Sequence, residues 1–491
     1  MTSQFCDRLM TAAAAPLPSA AARAARRSLF NVLGTAIGAA RIPAVEALLS
    51  AASRRAAAGS VVLPGRRETI DAYWGALVVG TAAHLDDYDD THLATVIHPG
   101  AATLATVLSL CPELDVPGER YLTAFALGCE TQLRIGNAIS PEHYDRGWHI
   151  TGTCGVYGAA VAAAVLLGLD AERTEHALAL TGTMTVGQRE GFGSMTKPFH
   201  PGKAAANGVL AARLAAGGCT GPADPLSARG LAALSGTVRR AHLEGAWDRD
   251  WELERNAFKP YPCGIVAHPV IDAACAAARQ VGDPDTITGV SVACHPLVPE
   301  LMGRRQPADG LQARFSAYHA AAVGLLDGEV GLPQFSDARA RSVDAARLRD
   351  LITLVPSAER NRDEALIRVA RAGAEPVTVH IEHARGSLAR PLTDDELYDK
   401  VRRLVEPVLG AGATAPIHDA VERLAAAPGP DELLAVIRTA DGPGDPTPGS
   451  GDPTPDPGDP TPGSGDPTAG PGDPTAGPGH PTEGPGEGTT V

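Results

Sequence analysis

Apolar residues recur at i, i+3 and i+4 through Ala20–Ala40, Gly75–His84, Ala101–Leu110, Tyr121–Ile139 and Gly155–Leu167, a spacing that gathers them on one face of a helix. Many are Ala or Gly, which lets helices approach closely. The pattern predicts an all-helical domain over residues 1–268. After Pro269 the rhythm changes to β-branched alternation at Thr286–His295, Ala365–Arg371 and Val377–His383, which predicts strands, with Ala372 to Pro376 as a five-residue hairpin loop. Thr393 and Glu396 have capping-box spacing ahead of a helical run to Val405. The expected fold is therefore mainly α: a large helical domain, a smaller α+β domain over residues 269–400, and helices over residues 401–440 that return to the first domain.

A different composition takes over near the end. The tetrapeptide GDPT starts at Gly444, Gly451, Gly458, Gly465 and Gly472, with a decayed copy at Gly479. So much Pro and Gly with almost no apolar side chains cannot offset the entropy of ordering, so residues 441–491 are expected to be disordered. That segment also distorts the charge balance. Formal charge is −15, but nine acidic residues and no Lys or Arg lie between Asp441 and Val491, which leaves −6 for the rest. No long basic run exists, and nucleic acid is not an expected partner. The first thirty residues contain Asp7, Arg8, Arg23, Arg26 and Arg27, and no stretch of about twenty apolar residues follows, so a cytoplasmic protein without membrane contact is expected. Eight scattered cysteines without a C-x-x-C pair read as mostly buried free thiols.

Four segments carry chemistry. In AAHLDDYDDTHLATVIHPG, Ala82 to Gly100, four aspartates, Thr91 and three histidines follow a helical run. Such carboxylates repel one another unless they are solvated, cap a helix or hold a cation. Asp86, Asp87 and Asp90 also match the DDxxD magnesium motif of isoprenoid synthases, but aromatics are 4% of the chain, too few to line a carbocation pocket. In HYDRGWHITGTCGVYGAA, His149 precedes a helix that Thr151 or Thr153 would cap, a place where a side chain can face an anion. In GFGSMTKPFHPGKAAANG, Lys197 and His200 read as part of a Gly/Pro-punctuated loop before a helix near Ala204, and Ser194 to Lys197 match the short S-x-x-K pattern of penicillin-binding enzymes. In KPYPCGIVAHPVIDAA, His268 opens a helix, and further on Arg314, Tyr318 and His319 share a short helical pattern. Each of these residues alone is as readily a core or surface residue as a functional one.

In combination, and in this order, D-x-D-D-T, H-P-G, G-W-H, T-K-P-x-H and A-H-P resemble the MmgE/PrpD family, which includes 2-methylcitrate dehydratase, cis-aconitate decarboxylase and iminodisuccinate epimerase. The likeness extends to about residue 440. It implies a helical domain, a lid domain, a homodimer, and a site between the domains without metal or organic cofactor. It also implies a small di- or tricarboxylic acid as substrate, and active-site positions at Asp87, Thr91, His98, His149, Lys197, His268 and Tyr318. The T-K-P-x-H segment resembles the decarboxylase and epimerase branches more than the dehydratase. One more residue separates Thr91 from His98 than in the decarboxylase pattern.

Dehydration, decarboxylation and epimerisation all need a base or acid beside a carboxylate and a cation for the charge that develops there. The roles expected are proton transfer for His98 and His149, a carboxylate clamp for Lys197, and an acid from the lid for Tyr318. Asp87 would tune a histidine, while Thr91, His200 and His268 would contact substrate. A non-catalytic carboxylate-binding or scaffold protein is the competing reading from another class.

Overall fold

Small residues decide how closely the helices of this chain approach. The protein is described here from a computed structural model covering residues 1–53, 59–185 and 187–439. The expectation of disorder for 441–491 falls outside them. The first core is built around α1 (Ser19–Gly38), α2 (Ala72–His84), α3 (Pro99–Leu110), α4 (Gly118–Ile139), α5 (Ile150–Leu167) and α6 (Thr196–Ala216). Asp71 starts α2 by accepting hydrogen bonds from the Tyr73 and Trp74 amides. α5 is long and apolar enough to cross a membrane, but 94% of it is buried inside the protein.

α2 and α6 cross where Gly80 meets Gly202. A Cβ on Gly202 would lie 2.2 Å from the Leu77 carbonyl oxygen and 2.5 Å from Thr81 Oγ1. This contact matters for function, since it brings His84 at the end of α2 within 2.8 Å of Lys197 in the first turn of α6. Gly202→Ala should therefore push the two helices apart, costing about 1–3 kcal/mol as an overpacked core does. Chemical denaturation would measure it, and an unchanged midpoint would mean that the crossing relaxes freely.

The second core contains α7 (His268–Val281), β1 (Ile287–Cys294), α8 (Ala317–Asp327), β2 (Ile352–Pro356), β3 (Ala365–Arg371) and β4 (Ala374–Ile381). The sheet order is β2-β1-β3-β4, with β1 parallel to β2 and the other neighbours antiparallel. The hairpin loop is shorter than the five residues expected. Only Ala372 and Gly373 connect β3 to β4, because Gly373 (φ +67) accepts the left-handed turn. Pro376 is tolerated inside β4 because that strand lies at the sheet edge.

Burial passes to the second core at Tyr261 and returns to the first at Leu392, both earlier than the changes of composition at 269 and 401. The returning helix α9 (Asp394–Leu409) starts at the predicted capping box: Thr393 Oγ1 accepts from the Glu396 amide and Glu396 Oε2 from the Thr393 amide. Its Val401 and Leu404 press on Gly34 and Gly38 of α1, where an added Cβ would lie 2.9 and 3.1 Å from their side chains, so a larger residue would have to displace them. Seven of the eight cysteines are buried and all are free.

Candidate active site

Three helix N-termini open onto one cavity. His98 is the capping residue of α3, His149 that of α5, and Lys197 is the second residue of α6. All three line the cavity together with Asp87 and Thr91. Helix starts carry unpaired N–H groups and the positive end of the helix dipole, so such a place favours an anion. Neither histidine side chain caps its own helix. Both are free to serve the cavity.

One buried network joins these groups. Lys197 Nζ donates to Asp87 Oδ1 at 2.5 Å and to His84 Nε2 at 2.8 Å, and His84 Nδ1 lies 2.8 Å from Asp89 Oδ2. With an ammonium on one side and a carboxylate on the other, His84 carries its proton on Nδ1. Lys259 Nζ donates to the Asp87 and Cys263 carbonyls and lies 3.2 Å from Asp87 Oδ2. His98 Nδ1 sits 3.0 Å from Asp89 Oδ1 and 3.1 Å from Thr91 Oγ1, while its Nε2 is 3.7 Å from Asp87 Oδ1. His149 Nδ1 meets His200 Nδ1 at 3.0 Å.

Electrostatics follow from this burial. Burial favours the neutral imidazoles, and neighbouring positive charges add to it. His84 is pushed down to about 3 and His200 to about 4, His98 falls, and His149 falls well below the usual range. Burial also lowers Lys197, an effect the Asp87 carboxylate opposes. Burial would raise Asp87, but the Lys197 and Lys259 ammoniums hold it well below the ordinary carboxylate range. At neutral pH the site thus offers uncharged imidazoles, able to take a proton, beside a fixed cation.

Strain gathers at the same place. Asp87 (φ +50) and Val96 (φ +54) both line the cavity in the left-handed region. For β-branched Val96 this costs about 1–3 kcal/mol and persists only where the surroundings enforce it.

The carboxylates of the DDxxD match do not converge on a metal. Asp86 pairs with Arg314 at 2.7 Å, Asp87 with the two lysines, and Asp90 with Ser28, Asn256 and the Gly100 amide. The described residues that could together hold an ion are His84, Asp87, Asp89 and His98, whose ligand atoms lie within 4.8 Å of one another. The Lys197 ammonium already bonds to two of them, so a divalent ion there would meet a like charge in a buried setting. The S-x-x-K match dissolves as well. Ser194 is exposed and bonds to Gly191 and Thr196, while Lys197 turns inward.

Other expectations change in detail. α6 begins at Thr196 and not near Ala204, so Lys197 and His200 are helical rather than in a loop. Pro198 falls in the first turn, where its missing N–H has no partner to lose, and Pro201 removes only one bond. Thr151 and Thr153 do not cap α5. They lie inside it, Thr151 Oγ1 accepting from the His98 amide and Thr153 Oγ1 bonding to His143 Nε2 at 2.6 Å. Two of the anticipated site residues stand back from the cavity lining. His268 is buried with Nε2 3.3 Å from the Cys263 carbonyl, and Tyr318 lies under the Arg305 guanidinium at 4.4 Å. His200 reaches the cavity only through His149.

Residues 3–239 match the MmgE/PrpD N-terminal domain and residues 261–426 the MmgE/PrpD C-terminal domain. The chain belongs to the MmgE/PrpD family. The two matched regions divide it almost where burial passes from the first core to the second. Among its relatives, the cis-aconitate decarboxylase of Mus musculus is 28% identical over 375 residues, 72% of this chain and 75% of the relative. The cis-aconitate decarboxylase-like protein oryM of Aspergillus oryzae is 25% identical over 472 residues, 89% of this chain and 97% of the relative. The cis-aconitate decarboxylase of Aspergillus terreus is 22% identical over 453 residues, covering 86% and 92%.

Sequence reasoning passes over His84 and Lys259. A signal for the lysine was available, since the chain contains only four lysines among 42 basic residues. Lys197 and Lys259 are buried against Asp87, and Lys400 is buried against the Tyr88 carbonyl at 2.7 Å. Where arginine serves nearly every other position, a compact ammonium kept in the interior marks a place where size and point charge matter. His84 carries only its position, between a helical run and the aspartates.

Proposed function

We propose that this member of the MmgE/PrpD family is a cofactor-independent lyase that moves a proton beside a carboxylate of a small di- or tricarboxylic acid. The observation that carries the reading is the convergence of His98, His149 and Lys197, each at a helix start, on one cavity. Lys197 binds the carboxylate and stabilises the charge that develops next to it. The names of its relatives favour decarboxylation over dehydration.

In decarboxylation the bond to the departing carbon dioxide breaks, its electron pair passes to the adjacent carbon, and one proton must be delivered there. The resting imidazoles are neutral. An anionic substrate beside His98 and His149 raises their affinity for a proton, so binding itself readies the acid. In dehydration the same imidazole first removes a proton and then returns it to the leaving hydroxyl. The Lys197–His84–Asp89 chain keeps the ammonium in place through either reaction.

Proton NMR in heavy water tests the reading. The panel is cis-aconitate, citrate, 2-methylcitrate, iminodisuccinate, 2-methylmalate and ethylmaleate, with His149→Gln as the control. Conversion by the wild type and not the control upholds it, and the product names the reaction, deuterium on the carbon that lost carbon dioxide marking a decarboxylation. Exchange without net conversion assigns an epimerase. Neither conversion nor exchange with any acid overturns the lyase reading in favour of a carboxylate-binding protein.

A further inference from the structure

The two sides of the cavity differ in chemistry. One part of the lining, the floor, carries the ionic network, while an apolar wall consists of Val96, Phe192, Ile265, Leu301, Met302 and Phe315. Phe192 and Phe315 place their rings 5.7 and 5.3 Å from Lys197 Nζ. The apolar wall therefore reaches down to the cation. Val96 holds its place there in a strained backbone conformation, which the surrounding structure must enforce.

Counting donors limits how many carboxylates this floor can receive. An ammonium has three N–H groups. Those of Lys259 face the Asp87 carbonyl, the Cys263 carbonyl and Asp87 Oδ2. Two of the three on Lys197 go to Asp87 and His84. One lysine N–H remains. No arginine lines the cavity among the described residues, and Arg314, next to Phe315 in sequence, is committed to Asp86 and the Pro262 carbonyl. Helix N-termini and imidazoles can complete the recognition of one carboxylate, and a second can lie toward the open side. A third would face the apolar wall, where Tyr144 and Thr91 offer only neutral hydroxyls and no cation, and a buried charge without a counter-charge is strongly disfavoured.

Resting on the carboxylate-handling reading above, we propose that the preferred substrate is an alkyl-substituted acid with no more than two carboxylates, an apolar group occupying the place where a tricarboxylate carries its third. This departs from the tricarboxylate in the names of the relatives, and the wall formed by Val96, Leu301 and Met302 is the feature of this chain that disfavours a third carboxylate.

Calorimetric titration of the full chain with two inert acids of one skeleton tests it. Tricarballylate carries three carboxylates, and ethylsuccinate has a methyl in place of one of them. Ethylsuccinate should bind at least about tenfold more tightly, a factor that corresponds to about 1.4 kcal/mol. Leu301→Lys, which supplies a cation to the half-buried wall, should reverse the order. Equal or tighter binding of tricarballylate to the wild type overturns this inference and leaves the carboxylate site standing. If neither acid binds, the carboxylate reading falls with it.

Discussion

Lys197→Met lowers kcat/KM by about 10³-fold or more, with most of the loss in kcat. The ammonium is buried, hydrogen-bonded to Asp87 at 2.5 Å and to His84 at 2.8 Å, and roofed by two phenylalanine rings. A cation held this way needs no reorganisation when negative charge develops, and removing one such group costs about 10²–10³ in rate. Here the same residue also sets the state of its neighbours, because its charge depresses His84 and His149 and sustains the Asp87 carboxylate. Methionine preserves length and apolar contact. Lys259 stays beside Asp87, so that carboxylate is not left alone. Steady-state kinetics and the pH–rate profile decide the matter. A rise in KM with kcat within about tenfold of wild type would reduce Lys197 to ground-state binding.

Acidification from pH 7 to 5 lowers the melting temperature by about 5 °C or more. Four buried imidazoles lie far below their ordinary value of 6.5, with burial as the leading cause: His84 and His268 at about 3, His143 and His319 at about 4. Between those values and 6.5 the unfolded chain binds protons that the folded chain does not, so stability rises with pH through this window and is lost as pH falls. Each such proton is worth about 1.4 kcal/mol per pH unit. Asp90 works in the opposite sense. Its carboxyl, raised to about 7 chiefly by burial, keeps a proton that the unfolded chain has lost, which offsets one of the four. Several kcal/mol therefore disappear between pH 6.5 and 5, a large part of an ordinary folding free energy. Thermal melts followed by circular dichroism would detect this. A melting temperature constant down to pH 5 would mean that these histidines are charged in the fold.

Local pattern made much of the helical core legible, together with the capping box at Thr393 and the strand at Ile287–Cys294, because side-chain periodicity and cap chemistry act within a few residues. The helix containing Lys197 was harder to read. Pro198 and Pro201 signal a break, yet the helix runs through both, packed on α2 at Gly202. The hairpin loop is shorter than its Pro376 suggests, because an edge strand accepts a proline that an interior strand would not.

By itself the sequence determined the fold class, the family motifs and five residues that line the cavity: Asp87, Thr91, His98, His149 and Lys197. Tertiary structure alone decided their partners. Lys197 and Lys259 meet at Asp87 from positions 110 and 172 residues away in sequence, and no local spacing encodes that meeting. It also left Tyr318 and His268 out of the cavity lining and put Val96 and Phe315 into it, because packing across the fold sets which side of an element faces the cavity. Chemistry-bearing residue types can be read along a chain, but the charges they neutralise and the donors they leave free depend on contacts made across the whole fold.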